Sequence, residues 1–548
     1  MVPDSSTSPQ DGVQPPKASK LRGTGRHAFL VASGILLSRL VGLVRQRAFN
    51  HYFGQSDQAD AFNAAFKIPN FLQNLFGEGV LSASFIPVYS RSLAKGDEEE
   101  SGRIAGAILA ILTLSTTVLV GAGVLLTPFL IDAIAPGFHG AKRELTIRLV
   151  QILFPGAGLL VISAWCLGIL NSHRKFFLSY TAPVVWNLAM IATLLGFGGR
   201  ELPSLAIYLA CGSVAGSALQ LGVQLPAVLS LVRHLRPRLD TASEHVREVL
   251  KNFVPVFVSR GVVQISAYVD QLFASLLGTG AVAALTNAQT LYTLPVSLFG
   301  MSISAAELPA MSSALGAEED VAAQLRQRLN SGLRRIAFFV VPSAMAFLAL
   351  GGAITAALFE TGRFHHGDSN YVWGILAGSS VGLLASTLGR LYSSTYYALR
   401  DTRTPLRFAI VRVFLTVTLG YVCAIWLPRW MGIEQRWGVA GLTASAGVAG
   451  WVEFALLRRA LNARIGRTGL PATLVAKLWS AAGLAAALAW AVKAGLRLSS
   501  PFAGSLCVLA VYGAGYIAAA WVLRVEECEG LVRQALARSG RRRRQHAS

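Results

Sequence analysis

Ser38-Arg39-Leu40-Val41-Gly42-Leu43-Val44-Arg45-Gln46-Arg47 sets three arginines in an apolar run that begins at Ala28 and offers them no acidic partner. What those charges do depends on the solvent of the surrounding chain. Of its 548 residues 53% are hydrophobic and 14% charged, with a mean hydropathy of +0.51. A soluble protein carries about a quarter of its residues charged, so the composition excludes one and indicates a polytopic membrane protein.

Runs of about 20 apolar residues recur, each long enough to cross a hydrocarbon core of about 30 Å as a helix. Fourteen spans are expected, near 28–47, 62–90, 104–131, 146–169, 180–198, 204–232, 252–277, 282–314, 335–358, 372–398, 407–427, 437–457, 473–492 and 501–523. Short cytoplasmic loops carry the excess of Lys and Arg. Arg22 and Arg26 precede the first span; Arg91 and Lys95, Arg174 and Lys175, and Arg233, Arg236 and Arg238 follow the second, fourth and sixth. Arg326 and Arg328, Arg400 and Arg403, and Arg458, Arg459, Arg464 and Arg467 follow the eighth, tenth and twelfth. The loop His51 to Asp60 has no Lys or Arg, and the loop after Phe359 has Arg363 alone, so both termini are expected in the cytoplasm.

The net charge of +21 is spread over one set of loops, which points to membrane orientation and not to nucleic acid. Arg541 to Arg544 reads as a tail that touches anionic lipid or stays solvated. The polar stretch 1–27 reads as a disordered extension without a cleavable signal. Cys166, Cys211, Cys423, Cys507 and Cys528 show no metal or redox spacing and read as packing residues; no cofactor or metal is expected.

The seventh span repeats the first. Val258-Ser259-Arg260 echoes Leu37-Ser38-Arg39, Leu298-Phe299-Gly300 echoes Leu75-Phe76-Gly77, and Pro295 and Pro309 answer Pro69 and Pro87. Six spans separate the copies, an even number, so the halves run parallel; transporters built from such halves hold substrate between them.

On a helix turning about 100° per residue, Gly34, Ser38, Arg39, Gly42 and Arg45 share one sector about 140° wide, opposite Leu36, Leu40, Leu43 and Val44. A charge at mid-membrane costs at least about 2.5–3.5 kcal/mol, so it turns toward a wet cavity or a partner. Arg39 and Arg45 are therefore expected to face a central cationic cavity with Arg260 opposite, or to be satisfied by backbone carbonyls, Asp60 or Glu78. Arg47, at the span end, is expected to snorkel. Guanidinium suits phosphate because its planar fork bonds two oxygens at once. Asp60, Asn63, Lys67, Asn70, Gln73, Asn74 and Glu78 add a polar stripe in the second span. Asp270, in the seventh, is a candidate ion-coupling acid or the partner of Arg260 or Arg412.

The run ADAFNAAFKIPNFLQNLFGEGVLSASFIPV (59–88) resembles the MurJ (MviN) lipid II flippases of the multidrug/oligosaccharidyl-lipid/polysaccharide exporter superfamily. Ser38-Arg39 with Arg45, Ala135-Pro136-Gly137-Phe138, Gly168-Ile169-Leu170-Asn171 and Tyr397-Ala398-Leu399 with Asp401-Thr402 and Thr404-Pro405 extend the likeness. The resemblance implies an all-α integral membrane protein with two six-helix lobes around a cationic cavity and two C-terminal helices forming a groove for a polyprenyl tail. It implies undecaprenyl-pyrophosphate-linked disaccharide pentapeptide, lipid II, as substrate, moved across a bacterial inner membrane for cell-wall synthesis. Arg39, Arg45, Asp60 and Glu78 match positions tied to function in that family; Gln73, Asn74 and Thr290 stand where many relatives have arginines. A sodium ion, a proton or the membrane potential would supply energy to a monomer. The alternatives are a flippase for another polyprenyl-linked glycan and a cation-coupled drug antiporter. A membrane glycosyltransferase would need a metal-binding acidic pair, for which Asp57 and Asp60 are the nearest candidate, and no enzyme is expected.

The expected domains are the extension 1–27, an N-lobe 28–232, a basic linker 233–251, a C-lobe 252–457, a tail groove 458–523 and a basic tail 524–548. Single-cysteine labelling checks the orientation. In a background lacking the native cysteines, Arg236→Cys should stay silent toward an impermeant maleimide in intact cells, and His365→Cys should react.

Overall fold

The computed structural model describes residues 19–76, 78–240, 243–312, 318–495, 501–530 and 533. Its backbone is helical across the apolar sequence, since a bilayer offers no water to a bare N–H or C=O. The first half comprises α1 (Ser19–Phe53), α2 (Asp57–Phe76), α3 (Glu78–Ala94), α4 (Glu98–Ile134), α5 (Gly140–Ser172), α6 (Phe176–Phe197) and α7 (Leu202–Leu231). The second comprises α8 (Glu244–Ser275), α9 (Ala281–Pro295), α10 (Ser302–Ser312), α11 (Glu318–Phe359), α12 (His366–Ala398), α13 (Arg403–Tyr421), α14 (Leu427–Trp430) and α15 (Gly438–Ile465). Two further helices, α16 (Ala472–Gly495) and α17 (Pro501–Val522), follow.

Among the described residues, 11 helices are long and apolar enough to cross a membrane by length and composition alone. The remaining expected spans are also helical: α1, α2 with α3, and α8. They hold Arg39, Arg45, Asp60, Lys67, Glu78, Arg260 and Asp270.

Several boundaries differ from expectation. Helix α1 already runs at Ser19, the first described residue, inside the stretch expected to be disordered; no proline intervenes between Pro16 and the apolar run. Residues 1–18 and Arg541 to Arg544 lie outside the described residues. The expected linker 233–251 is helical from Glu244 onward, where α8 begins. The eighth span is α9, a π-helical turn Val296–Met301, and α10. Pro295 has no N–H to donate, and the wider turn absorbs the loss.

Helix α1 packs on α6, α5 lies between α2 and α7, and α12 lies between α11 and α15. Helices α16 and α17 pack on each other and on α11. Two buried clusters are drawn almost wholly from residues before 250, and a third from residues after 272 together with Ala64, Ala135 and Phe138. At the turn between α12 and α13, Asp401 accepts from the backbone N–H groups of Arg403 and Thr404, each at 3.0 Å, and pairs with Arg464 at 2.7 Å. The bonds from Thr404, with Arg464 beside them, hold this carboxyl down to about 2.

The α12–α15 contact depends on two glycines: a Cβ on Gly382 would lie 2.4 Å from the Cα of Gly447. Small residues let membrane helices approach this closely. Gly447→Val should therefore cost about 1–3 kcal/mol, read as a lowered melting temperature in detergent. Gly450→Ala, where a Cβ meets nothing within 4 Å, should melt like the parent.

Candidate functional site

Helix α1 divides as its pattern suggests. Leu36, Leu37, Leu40 and Val44 are exposed on the molecule's outer surface, whereas a Cβ on Gly34 would meet the Cβ of Tyr180 on α6 at 2.8 Å. Between α1, α6 and α9 lies a cavity of about 680 Å³. Ser38, Arg39, Gly42 and Arg45 line one side; Thr286, Gln289, Thr290 and Thr293 line the opposite one.

Arg39 is exposed in this cavity. The Arg45 guanidinium carbon sits 5.0 Å from the ring centroid of Trp186 and 5.9 Å from that of Phe66, with Nη1 3.8 Å from the Met190 sulfur. Among the described residues neither arginine forms an ion pair. Aromatic faces attract a cation without neutralising it, so both charges remain available to an anion. Arg47 is already spent, donating to the carbonyls of Ala357 at 2.7 Å and Leu358 at 2.8 Å on α11.

Asp60 is not part of the cavity lining. Its side chain is fully buried, and it accepts from the N–H of Gly280 at 2.7 Å and of Ala283 at 2.8 Å, which caps α9. Lys142 bridges it at 2.7 Å to Asp57 at 2.8 Å, and Thr279 donates to Asp57 at 2.8 Å. Gly280 holds φ +80°, a left-handed turn that brings the first N–H groups of α9 onto the carboxylate. Burial opposes the charge on Asp57, yet its bonds with Lys142 and Thr279 leave that carboxyl below the usual range.

These contacts belong to a seal across the two halves. Gln46 and Asn50 of α1 donate to Asn287 of α9 at 2.9 and 3.0 Å. His51 Nδ1 lies 2.9 Å from the Thr361 hydroxyl, and the Arg363 N–H donates to the His51 carbonyl at 2.9 Å. Toward the opposite ends of the helices, the first turn of α8 reaches the first half through Arg91–Glu248 and His245–Glu100, each 3.2 Å.

Of the other expected site residues, Lys67 is half-buried and Asn74 exposed on α2. The side chains of Glu78 and Arg260 lie outside the described residues, so nothing places Arg260 opposite Arg39. Asp270 lines a smaller cavity of about 120 Å³ with Gln289, Tyr292, Ser379, Ser386, Arg412 and Thr443. Its Oδ1 is buried without a hydrogen-bond partner among the described residues. Arg412 bonds Glu453 at 3.1 Å instead of Asp270, though it and Lys67 are the cations that act on Asp270. Gln289 borders both cavities. Sequence reasoning missed Lys142, Asn287, His51 and Trp186; the one available signal was a Lys-Arg pair, Lys142-Arg143, in the loop between the third and fourth spans.

A family model described as lipid II flippase MurJ matches residues 49–512. The chain belongs to the MurJ lipid II flippase family. A probable lipid II flippase MurJ of Rhizobium meliloti is 30% identical over 509 residues, covering 90% of this chain and 91% of that relative. The lipid II flippase MurJ of Burkholderia cenocepacia is 31% identical, covering 80% and 84%. Among solved structures, a lipid II flippase MurJ in an inward closed conformation superposes with a TM-score of 0.74 at 22% identity, covering 90% of this chain and 98% of that one. An inward-facing multidrug resistance MATE transporter of the MOP superfamily gives 0.62 at 18% identity, covering 80% and 98%. Membership makes this a multi-pass protein of the bacterial inner membrane.

A hydrogen bond to a charged group contributes about 1.5–3 kcal/mol against about 1 for a neutral one, and the bonds from Gly280 and Ala283 to Asp60 cross between the halves. Asp60→Asn should therefore loosen the seal. A cysteine at Ser38 should then react several-fold faster with an impermeant maleimide added from the side of the α1 C-terminus, and Lys142→Met should act in the same direction.

Proposed function

We propose that this chain carries lipid II from the cytoplasmic to the outer leaflet by alternating access, with both termini in the cytoplasm and the sealed end facing outward. Family membership supports the substrate. The observation that carries the mechanism is a pair of guanidiniums with no ion pair among the described residues, in a cavity whose far end is held shut by bonds between the halves.

In this reading Arg39 and Arg45 bind the pyrophosphate, which is the charged part of the substrate and needs parallel donors on several oxygens. Thr286, Thr290, Thr293 and Gln289 offer hydroxyl and amide groups to the sugars and peptide; Thr290 replaces an arginine expected from the resemblance. The two repeats rock about the cavity, as parallel-repeat transporters do. Opening outward breaks the Asp60 cap and the Gln46–Asn50–Asn287 bonds. The polyprenyl tail stays in lipid beside α16 and α17. One chain encloses the whole cavity, which favours a monomeric unit. Asp270, whose Oδ1 has no hydrogen-bond partner among the described residues, is the acid for a coupling cation or proton, and Gln289 lets its state reach the substrate cavity.

Complementation of a flippase-depleted strain tests the reading, with the membrane level of each variant measured. Arg39→Ala with Arg45→Ala should abolish growth and leave lipid II on the cytoplasmic leaflet. Each charge-assisted bond contributes about 1.5–3 kcal/mol, so losing two weakens binding about a hundredfold or more. Arg39→Lys keeps the charge without the fork and should retain partial activity. Growth with alanine at both positions would refute the assignment. Asp270→Asn should make transport insensitive to sodium concentration and pH; an unchanged dependence would return Asp270 to a structural role.

A further inference from the structure

The cytoplasmic side of the first half holds a second cavity, of about 410 Å³, outside the transport path. Arg103 of α4 and His234, Arg236 and Arg238 of the inter-repeat linker line it, with Glu99, Asp240 and Leu239 at its edge. The three arginines are exposed. Arg103 lies 3.5 Å from Glu100, while Arg236 and Arg238 form no ion pair among the described residues. Asp240 accepts from the Ser243 N–H at 3.2 Å, leading the linker into α8.

The linker is not merely draped over the surface. A Cβ on Gly102 would lie 2.6 Å from the His234 carbonyl oxygen, and one on Gly106 would lie 2.3 Å from that of Arg236. Two glycines one turn apart on α4 thus let irregular backbone lie flush on the helix, and this contact fixes where the arginines stand. Leu239, 61% exposed, sits beside them at the cytoplasmic end of the helices. A soluble phosphate has no use for an exposed leucine next to guanidiniums; a lipid with an anionic headgroup and an acyl chain has use for both.

We propose that this pocket binds the phosphodiester headgroup of an anionic phospholipid of the cytoplasmic leaflet, with Arg236, Arg238 and Arg103 on the phosphate and Leu239 against the acyl chain. The bound lipid ties the linker, through which the two repeats are joined, to α4. Its placement in the cytoplasmic leaflet rests on the orientation proposed above; the pocket itself does not.

Native mass spectrometry of the full chain in neutral detergent tests this, titrating phosphatidylglycerol, phosphatidylcholine and inorganic phosphate in separate arms. Phosphatidylglycerol should bind and the other two should not. Each arginine near an anionic headgroup is worth about fivefold in affinity. Arg236→Gln with Arg238→Gln should then weaken phosphatidylglycerol about thirtyfold, whereas Arg459→Gln with Arg467→Gln, an equal charge loss on exposed cytoplasmic arginines, should change it less than about twofold. Gly106→Ala removes no charge but lifts the linker, and should weaken binding as well. Equal loss in both double variants, binding untouched by the 236/238 pair or by Gly106→Ala, or occupancy by inorganic phosphate at matched concentration would each overturn the proposal. None of these outcomes bears on whether lipid II is transported.

Discussion

A carboxylate without solvent has to be given hydrogen bonds and a counter-charge, or it costs several kcal/mol. Asp60 receives both at once, the bonds from the first turn of α9 and the charge from Lys142. Those partners come from different places in the chain: Gly280 lies 220 residues away, in the other repeat. Parting the halves at this end breaks both N–H bonds to the acid, while Lys142 on the same half stays with it, so closure here follows from how Asp60 is satisfied. The amide contacts of Gln46 and Asn50 with Asn287 extend the same closure one turn deeper into the membrane.

The cavity beneath the seal is built on the opposite rule. Arg45 is held by aromatic faces and a thioether, contacts that position a cation and leave its charge uncompensated. A carboxylate in the same place would have satisfied the arginine and closed the site to anions. The α9 wall contributes hydroxyls and one amide, neutral groups that bond without charge. Among the described residues no acid lines this cavity, whereas Asp270 lines the smaller one, and Gln289 is common to both.

Much of this was legible in the sequence, and what was legible has a physical reason. Arginines in an apolar helix have few places to point, so Arg39 and Arg45 could be placed on one face from spacing alone. The task of Asp60 was hidden because its partners are backbone N–H groups, which no side-chain pattern reveals, and a lysine in a distant loop. Lys142 and Arg143 are cations in a loop on the outward side of the proposed orientation. They are matched there by Asp57 and Asp60, and by Asp132 at 2.7 Å, so they do not contradict the inward bias of unpaired Lys and Arg. The turn of α9 at Pro295 was foreshadowed by the proline, but its π-helical form depends on packing that the sequence does not state.

The account stands or falls on whether the Asp60 contact holds the outward end shut and substrate releases it. Spin labels at Glu201 and Met431, exposed in loops of the two halves that face outward in the proposed orientation, report that opening by double electron–electron resonance. In nanodiscs, lipid II should shift the parent from a short to a longer distance, and Asp60→Asn should show the longer distance with no substrate present. A distribution that stays short in Asp60→Asn, or that ignores lipid II in the parent, would contradict the account.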